Sequence, residues 1–152
     1  MRLAAFQPDI AQNLGTMIRT CACLGVPLDV IEPCGFPFSV KALRRAAMDY
    51  ADLADVTRHD DWDAFLAQRE AAQGRSRLVL LSTHGTTRIW DHAFTPQDVL
   101  LVGRESAGVP AEVVEAADAI ITIPMPGGGR SLNVAVAAGM VLSEATRQLG
   151  SP

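Results

Sequence analysis

Three polar side chains within four positions occupy a glycine-rich segment in the C-terminal part of the sequence. Arg130, Ser131 and Asn133 follow three consecutive glycines, between the β-branched run 119–123 and an apolar run that resumes at Val134. A glycine-rich turn between a strand and a helix presents unpaired backbone N–H groups to a ligand, and Ser131 is a good N-cap for the helix behind it. The segment therefore predicts a binding turn. The alternative is a loop that only reverses the chain, with the glycines supplying positive φ.

The helix predicted after this turn is apolar almost all round, so we expect it to be buried on every side. Its apolar positions are Leu132, Val134, Val136, Met140, Val141 and Leu142. One small domain cannot cover such a helix by itself. The sequence therefore predicts an obligate or near-obligate homodimer.

Two further turns in the second half of the chain are polar and contain glycine, at residues 82–85 and 103–108. The apolar runs 78–82 and 99–102, which come before them, are typical of central parallel strands. Because ligands of a parallel α/β sheet bind beyond the carboxyl ends of its strands, we expect these turns and the 124–130 turn to share one site. No P-loop or Gly-x-Gly-x-x-Gly motif opens a helix after the first strand, which disfavours the standard ATP/GTP and NAD sites.

The elements that must position these turns alternate between strand-like and helical patterns. This alternation predicts one α/β domain over residues 1–152, with helices on both faces of a mostly parallel sheet. The predicted strands are 3–6, 28–31, 53–56, 78–82, 99–102 and 119–123. The predicted helices are 12–24, one capped by Ser39, 62–73, 110–117 and the one behind Ser131.

Composition limits the function classes. With 152 residues, 49% of them hydrophobic and 20% charged, the chain is an ordinary globular domain. A net charge of −4 argues against a non-specific DNA coat. Lys41 is the single lysine among thirteen cations. The arginines that make up the rest suit phosphate recognition, although GC-rich coding drift would give the same excess.

The sequence contains few features that indicate a cellular compartment or a metal site. No segment resembles a signal peptide, and no apolar run reaches the length that spans a membrane. Three cysteines without zinc-ligand spacing indicate reduced side chains in a cytosol, so we expect a cytoplasmic protein. His59, His84 and His92 show no metal spacing, and we expect no metal.

Three stretches resemble, in order, the motifs of the SPOUT RNA methyltransferases. Residues 13–19 are similar to the first motif, Asn-x-Gly-x-x-x-Arg, residues 103–110 to the second and residues 123–133 to the third. Residues 31–36 and 43–50 resemble one short subgroup, the tRNA (cytidine/uridine-34 2′-O)-methyltransferases of the TrmL type. The resemblance covers nearly the whole chain.

The resemblance implies a deep C-terminal trefoil knot, a homodimer and S-adenosylmethionine bound in the knot. Its implied reaction is methyl transfer to the 2′-hydroxyl of the tRNA wobble nucleotide. Two alternatives remain, an rRNA 2′-O-methyltransferase and an RNA-binding module that has lost catalysis. Intact Arg19, Ser131 and Asn133 speak against the second alternative.

By resemblance, backbone groups of the three turns hold the cofactor. An adenine requires apolar walls and a few placed N–H and C=O groups, which such turns supply. The Glu105 carboxylate could favour the positive charge of the sulfonium, or it could anchor its own turn. The implied cofactor-binding positions are Leu81, Ser82, Gly103, Glu105, Ile123, Met125, Ser131 and Leu132.

The catalytic residues implied by the resemblance are Arg19, Ser131 and Asn133. The family reading places Arg19 beside the target ribose, often as a general base. Because a guanidinium group rarely gives up its proton, orienting a phosphate and stabilising the developing 2′-oxyanion is chemically easier. Asn133 could fix the ribose or Arg19. The alternative for Arg19 is a solvated helix arginine.

A basic helical cluster is assigned to tRNA phosphates, and the alternative is a solubilising face. It consists of Lys41, Arg44 and Arg45, and the resemblance adds Asn13 and Arg130 as RNA contacts. Two positions depart from the pattern common in relatives. Ser143 stands where an aromatic residue is frequent, and Ala107 stands where an arginine is frequent, with Arg104 nearby instead.

Overall fold

The computed structural model describes residues 1–37, 53–71 and 76–150. Strands and helices alternate along these ranges. The strands are β1 (Arg2–Phe6), β2 (Leu28–Ile31), β3 (Val56–His59), β4 (Leu78–Leu81), β5 (Thr87–Arg88), β6 (Val99–Val102) and β7 (Ala119–Thr122). The helices are α1 (Ala11–Leu24), α2 (Trp62–Ala71), α3 (Ala111–Glu115) and α4 (Val134–Leu149).

The strands form one seven-stranded sheet in the order β3-β2-β1-β6-β4-β7-β5. Every neighbouring pair is parallel. The prediction of an α/β domain on a mostly parallel sheet is therefore confirmed. Since all the strands point the same way, their carboxyl ends lie along one edge, and the turns that follow β4, β6 and β7 meet there.

The sheet has an apolar layer on each face. In β1, Leu3 and Ala5 join the cluster that includes α1 and α4, whereas Ala4 and Phe6 join the cluster that includes α2 and α3. All four side chains are at most 2% exposed. Burial on both faces explains why the central strands are continuous apolar runs rather than alternating ones, and it confirms helices on both faces.

Helix α1 follows its sequence pattern closely. The predicted stripe of Leu14, Met17, Ile18 and Cys21 is buried. Gly25 ends the helix with φ 63°, a left-handed conformation that glycine adopts without steric cost. The stripe directs α1 onto the sheet and against α4.

Some predicted elements differ from the observed ones. The third strand starts at Val56, where the prediction of residues 53–56 ends, so that prediction is displaced towards the N-terminus. Strand β5 was not predicted, because two residues are too short to carry a periodic signal. The helix expected behind Ser39 lies outside the described residues, as does its basic cluster of Lys41, Arg44 and Arg45.

Helix α4 corrects two expectations. It is capped by Asn133 rather than Ser131, because the Asn133 Oδ1 atom accepts hydrogen bonds from the N–H groups of Ala135 (2.9 Å) and Val136 (3.2 Å). The chain is still extended at Asn133, with ψ 134°, so the helix cannot begin earlier.

The second correction concerns burial. One side of α4 packs on the sheet, whereas three large apolar side chains on and just before α4 remain exposed in the single chain. This apolar stripe consists of Leu132 (40% exposed), Val136 (52%) and Met140 (39%). Burial on every side is therefore wrong for one protomer. No helix within the described ranges has the length and apolar character needed to cross a membrane.

Candidate functional site

A cleft of about 790 Å³ lies at the carboxyl edge of the sheet, between the three glycine-containing turns. This volume is within the range of small-molecule sites, about 300–1,000 Å³. Its walls combine apolar side chains from strand ends, such as Leu80, Val102 and Ile120, with the polar turns. The predicted convergence of the turns is confirmed.

All eight positions that sequence reasoning assigned to the cofactor line this cleft, together with Asn13 and Asn133. With Asn13 and Asn133 included, they span residues 13–133, more than half of the chain, and the parallel sheet brings them together. They are Leu81, Ser82, Gly103, Glu105, Ile123, Met125, Ser131 and Leu132.

Two predicted side chains lie elsewhere. Arg19 is exposed on α1 and does not line the cleft of its own chain, although Asn13 of the same helix does. The two are six positions apart, about 9 Å along the helix axis. Arg130 is exposed in the 124–130 turn and also lies outside the cleft lining.

The 103–108 turn is closed tightly on itself. The N–H of Arg104 donates to the carbonyl of Gly108 at 3.0 Å, and the N–H of Gly108 donates back to Arg104 at 2.9 Å. Gly108 has φ +64°, and a Cβ on Gly103 would lie 2.7 Å from the Gly108 carbonyl carbon. Both glycines are therefore required by the backbone of this turn.

The 82–85 turn is fixed against β7. The Ser82 N–H donates to the Ile121 carbonyl at 2.9 Å, and the Ser82 hydroxyl accepts from the N–H of His84 at 3.2 Å. A Cβ on Gly85 would lie 2.7 Å from the Ile121 carbonyl carbon, so the turn approaches the strand as closely as only glycine allows.

A chain of polar side chains joins the three motif segments. The Asn13 Nδ2 atom donates to Glu105 Oε1 at 2.9 Å, and the Asn133 Nδ2 atom donates to Asn13 Oδ1 at 2.9 Å. Asn133 then accepts from the first N–H groups of α4. The first, second and third motifs are thereby connected by direct hydrogen bonds beside the cleft.

The groups at the two ends of this series of hydrogen bonds fix which atom donates and which accepts at every link. An ionised carboxylate can only accept, so Glu105 requires the amide NH₂ of Asn13. The free N–H groups at the start of α4 can only donate, so they require the carbonyl oxygen of Asn133. The remaining Asn13 oxygen and Asn133 nitrogen then match each other. Every link has one donor and one acceptor in a single arrangement.

Asp9 clamps the second turn from the other side. Its backbone N–H donates to Glu105 Oε2 at 2.8 Å, and its carboxylate accepts from the hydroxyl and the N–H of Ser106. These hydrogen bonds, the hydroxyl foremost, lower the pKa of Asp9 below its ordinary value. Sequence reasoning missed Asp9 and Ser106. The available signal was the position of Asp9, just beyond the carboxyl end of the first strand.

Both Glu105 oxygens are thus occupied by protein donors. Of its two roles left open by the sequence, anchoring the turn is the one with observed hydrogen bonds. Within the described ranges, no group of three or more His, Cys, Asp or Glu side chains is arranged to hold a metal ion.

Comparisons with known proteins identify the family and several relatives. A family model described as the SpoU rRNA Methylase family matches residues 1–143. A tRNA (cytidine(34)-2′-O)-methyltransferase of Beijerinckia indica is 56% identical over 149 residues, which are 98% of this chain and 92% of that protein. The Escherichia coli K12 protein of the same name is 40% identical over 154 residues, with 100% and 96% of the two chains covered.

Solved structures share the fold. One described as giving structural insights into the 2-OH methylation of C/U34 on tRNA superposes with a TM-score of 0.90 at 41% identity, over 99% of this chain and 97% of that one. The SpoU methyltransferase AviRb of Streptomyces viridochromogenes, in complex with AdoMet, gives a TM-score of 0.85 at 29% identity, over 97% of this chain and 60% of that one.

Proposed function

Because this chain belongs to the SpoU rRNA Methylase family, we propose that it methylates the 2′-hydroxyl of the wobble nucleotide, cytidine or uridine 34, of tRNA, with S-adenosyl-L-methionine as methyl donor. One observation carries the proposal: the polar chain Glu105–Asn13–Asn133 ties all three motifs around one cleft. Relatives that bear this activity in their names match the chain almost end to end.

The cleft residues suit S-adenosylmethionine. Apolar strand ends offer walls for an adenine, and the turn backbones around Ser82, Gly103 and Met125 offer N–H and C=O groups close by. When bound, the cofactor supplies an electrophilic methyl group on a sulfonium. The protein's task is to hold that group in line with the attacking 2′-oxygen, and positioning of this kind lowers the barrier substantially.

Ser131 and Asn133, at the start of α4, are assigned different roles. Ser131 is exposed at the cleft, where we assign it to the cofactor or the ribose. Asn133 acts as a positioning residue, because its side chain already bonds Asn13 and the α4 backbone. Asn13 keeps a second amide N–H beyond the one given to Glu105, and that hydrogen suits an RNA acceptor.

We assign Arg19 to the reacting ribose, as the group that orients a phosphate and stabilises the developing 2′-oxyanion. A homodimer supports this role. Leu132 belongs both to the apolar stripe and to the cleft lining, so a partner seated on the stripe abuts the cleft. Because α1 packs against α4, the same contact can bring Arg19 of one protomer to the cleft of the other.

We further propose the C-terminal trefoil knot, a single domain over residues 1–152 and a cytoplasmic location where tRNA is available. The knot is supported by the similarity to solved SpoU methyltransferases.

Lys41, Arg44 and Arg45 remain assigned to tRNA phosphates. Replacing Arg44 and Arg45 by Ala should weaken tRNA binding and flatten its log–log salt dependence by about one to two units.

The activity is tested by incubating the purified protein and labelled cofactor with total RNA from cells that lack this gene. We expect label in tRNA, and mapping of the modified nucleotide should place it at the 2′-oxygen of position 34 in the tRNAs labelled. Arg19→Ala serves as the inactive control. Label in rRNA with none in tRNA would favour the rRNA alternative, and no label in either would favour a binding module.

A further inference from the structure

Arg104 is one of the residues that line the cleft. Among the described residues that line the cleft, it is the single arginine or lysine. Its guanidinium carbon lies 5.7 Å from the centroid of the Phe6 ring, a distance typical of a cation–π contact. Phe6 is only 2% exposed, and Trp62 packs edge-on against it at 5.8 Å. The guanidinium therefore rests on a rigid apolar surface.

One side-chain N–H group of Arg104 lacks a hydrogen-bond partner within the described part of the chain. Its Nε atom is buried and has no hydrogen-bond partner there. Buried polar atoms without partners are rare, and an arginine N–H is costly to leave unmatched. The backbone N–H and C=O of Arg104 bond Gly108, so the side chain is held at the cleft by the closed turn.

Neighbouring carboxylates do not supply the missing partner. Both Glu105 oxygens accept from Asn13 and from the Asp9 backbone. Asp9 is close enough for the positive charge of Arg104 to help lower its pKa, but its hydrogen bonds go to Ser106. Each carboxylate is committed to the architecture of the turn, and neither supplies a partner for the Arg104 Nε atom.

We propose that Arg104 is the oxyanion-binding residue of the cleft, whose guanidinium takes either the carboxylate of the bound cofactor or a phosphate of the target RNA. The identity of these two ligands rests on the proposed function. A planar guanidinium binds both groups through paired N–H donors, and the Arg104 guanidinium lies against the Phe6 ring.

The experiment compares Arg104→Gln and Arg104→Lys with a matched control, Arg88→Gln. Arg88 is an exposed arginine on the edge strand β5, paired with Asp91, and it does not line the cleft. The first arm measures, by calorimetry, binding of S-adenosylhomocysteine and of 5′-methylthioadenosine, which lacks the amino-acid carboxylate. The second arm measures tRNA binding as a function of salt.

If the cofactor carboxylate is the ligand, Arg104→Gln should weaken S-adenosylhomocysteine binding by about 10- to 100-fold and leave methylthioadenosine binding unchanged. If an RNA phosphate is the ligand, cofactor binding should persist, and the salt slope of tRNA binding should flatten by about 0.7 to 0.9. Arg104→Lys should recover only part of either loss, because an ammonium group lacks the fork.

The proposal is overturned if both arms match the Arg88→Gln control. It is also overturned if both nucleosides lose affinity equally, since that result describes a disturbed turn rather than a lost anion contact. The melting temperature of each variant separates the latter outcome from global unfolding. If the wild-type protein binds S-adenosylhomocysteine but neither binds nor methylates tRNA, the proposed function fails, and the first arm still decides the role of Arg104.

Discussion

Asn133, at the start of α4, donates a 2.9 Å hydrogen bond to Asn13, 120 residues earlier in the first turn of α1. The bond joins the first motif to the third, and Asn13 passes the connection to Glu105 in the second. A displacement of any one of the three segments would therefore strain its hydrogen bonds to the others. The cleft is therefore held in shape as a unit, as a site that positions two reactants requires.

Exchanging the donor and acceptor between Asn13 and Glu105 should test the hydrogen bonds that join Glu105, Asn13 and Asn133. Glu105→Gln places an amide against a donor, and Asn13→Asp places two carboxylates together, so each single variant should lose stability and activity. In the double variant the new aspartate accepts from both neighbours, while the new glutamine donates to it and still accepts from the Asp9 N–H. We expect partial rescue, with a coupling free energy of about 0.5–3 kcal/mol.

The measurement is a double-mutant cycle on urea unfolding, with methylation rates recorded for the same four proteins. Additive losses in stability and rate would contradict a direct bond between these side chains in solution. Gln12→Glu, an exposed change one position away on α1, is the charge control.

Substitutions at Asn133 should separate capping from the polar chain. Asn133→Asp keeps an oxygen for the α4 N–H groups and complements the helix dipole, so the cap should persist, and the loss of unfolding free energy should come only from the acceptor now facing Asn13 Oδ1. Asn133→Ala should cost about 1 kcal/mol. Both variants remove the donor to Asn13 and should methylate slowly. Urea titrations and initial rates check this, and a fully active Asn133→Asp would show that the link to Asn13 is dispensable.

The second turn should loosen in acid through Asp9. Its folded-state pKa lies below its ordinary value, chiefly because the Ser106 hydroxyl donates to it. A depressed carboxyl pKa stabilises the fold at neutral pH, and this contribution is lost as the pH falls through the folded-state pKa. Ser106→Ala should raise the pKa of Asp9 towards 3.8, as measured by NMR titration of the carboxyl carbon. An unchanged pKa would mean that the bond is absent in solution.

The apolar stripe should mediate dimerisation. Val136→Lys and Met140→Glu each place a charge on an exposed site of the protomer, so the fold should persist while the dimer dissociates. Leu53→Lys is the control, because Leu53 is 71% exposed and outside the stripe. Sedimentation velocity at micromolar concentration checks the outcome. A wild-type monomer, or dimeric stripe variants, would contradict the prediction.

Arg19→Ala should abolish methylation while cofactor affinity stays within a few-fold of wild type. The reason is spatial, since Arg19 lies outside the cleft that the cofactor is proposed to occupy. Arg19→Lys should also fail, because an ammonium group cannot reproduce a bidentate fork. Calorimetry with S-adenosylhomocysteine decides between the roles, and lost binding would assign Arg19 to the cofactor instead.

Local patterns in the sequence determined much of this architecture. The continuous apolar runs of β4 and β6 predicted parallel central strands. The glycines at 103 and 108 predicted a tight turn after β6, close to the ligand. Strand ends and turns are encoded by neighbouring residues, and the rule that parallel strands share a carboxyl edge then placed the site. The spacing of the motifs added the reaction class by resemblance.

What remained undetermined was which polar groups pair across long stretches of chain. Glu105 reaches Asn13 over 92 positions, and Asn133 reaches Asn13 over 120. No local period records such contacts, so the sequence could not assign Glu105 to its turn. The α4 cap was undetermined for a different reason: Asn133 caps residues only two and three positions later, and Ser131 and Asn133 are both good N-caps. The tertiary structure also decided which side of α4 stays exposed and which arginine lines the cleft, because both depend on which elements the sheet places next to them.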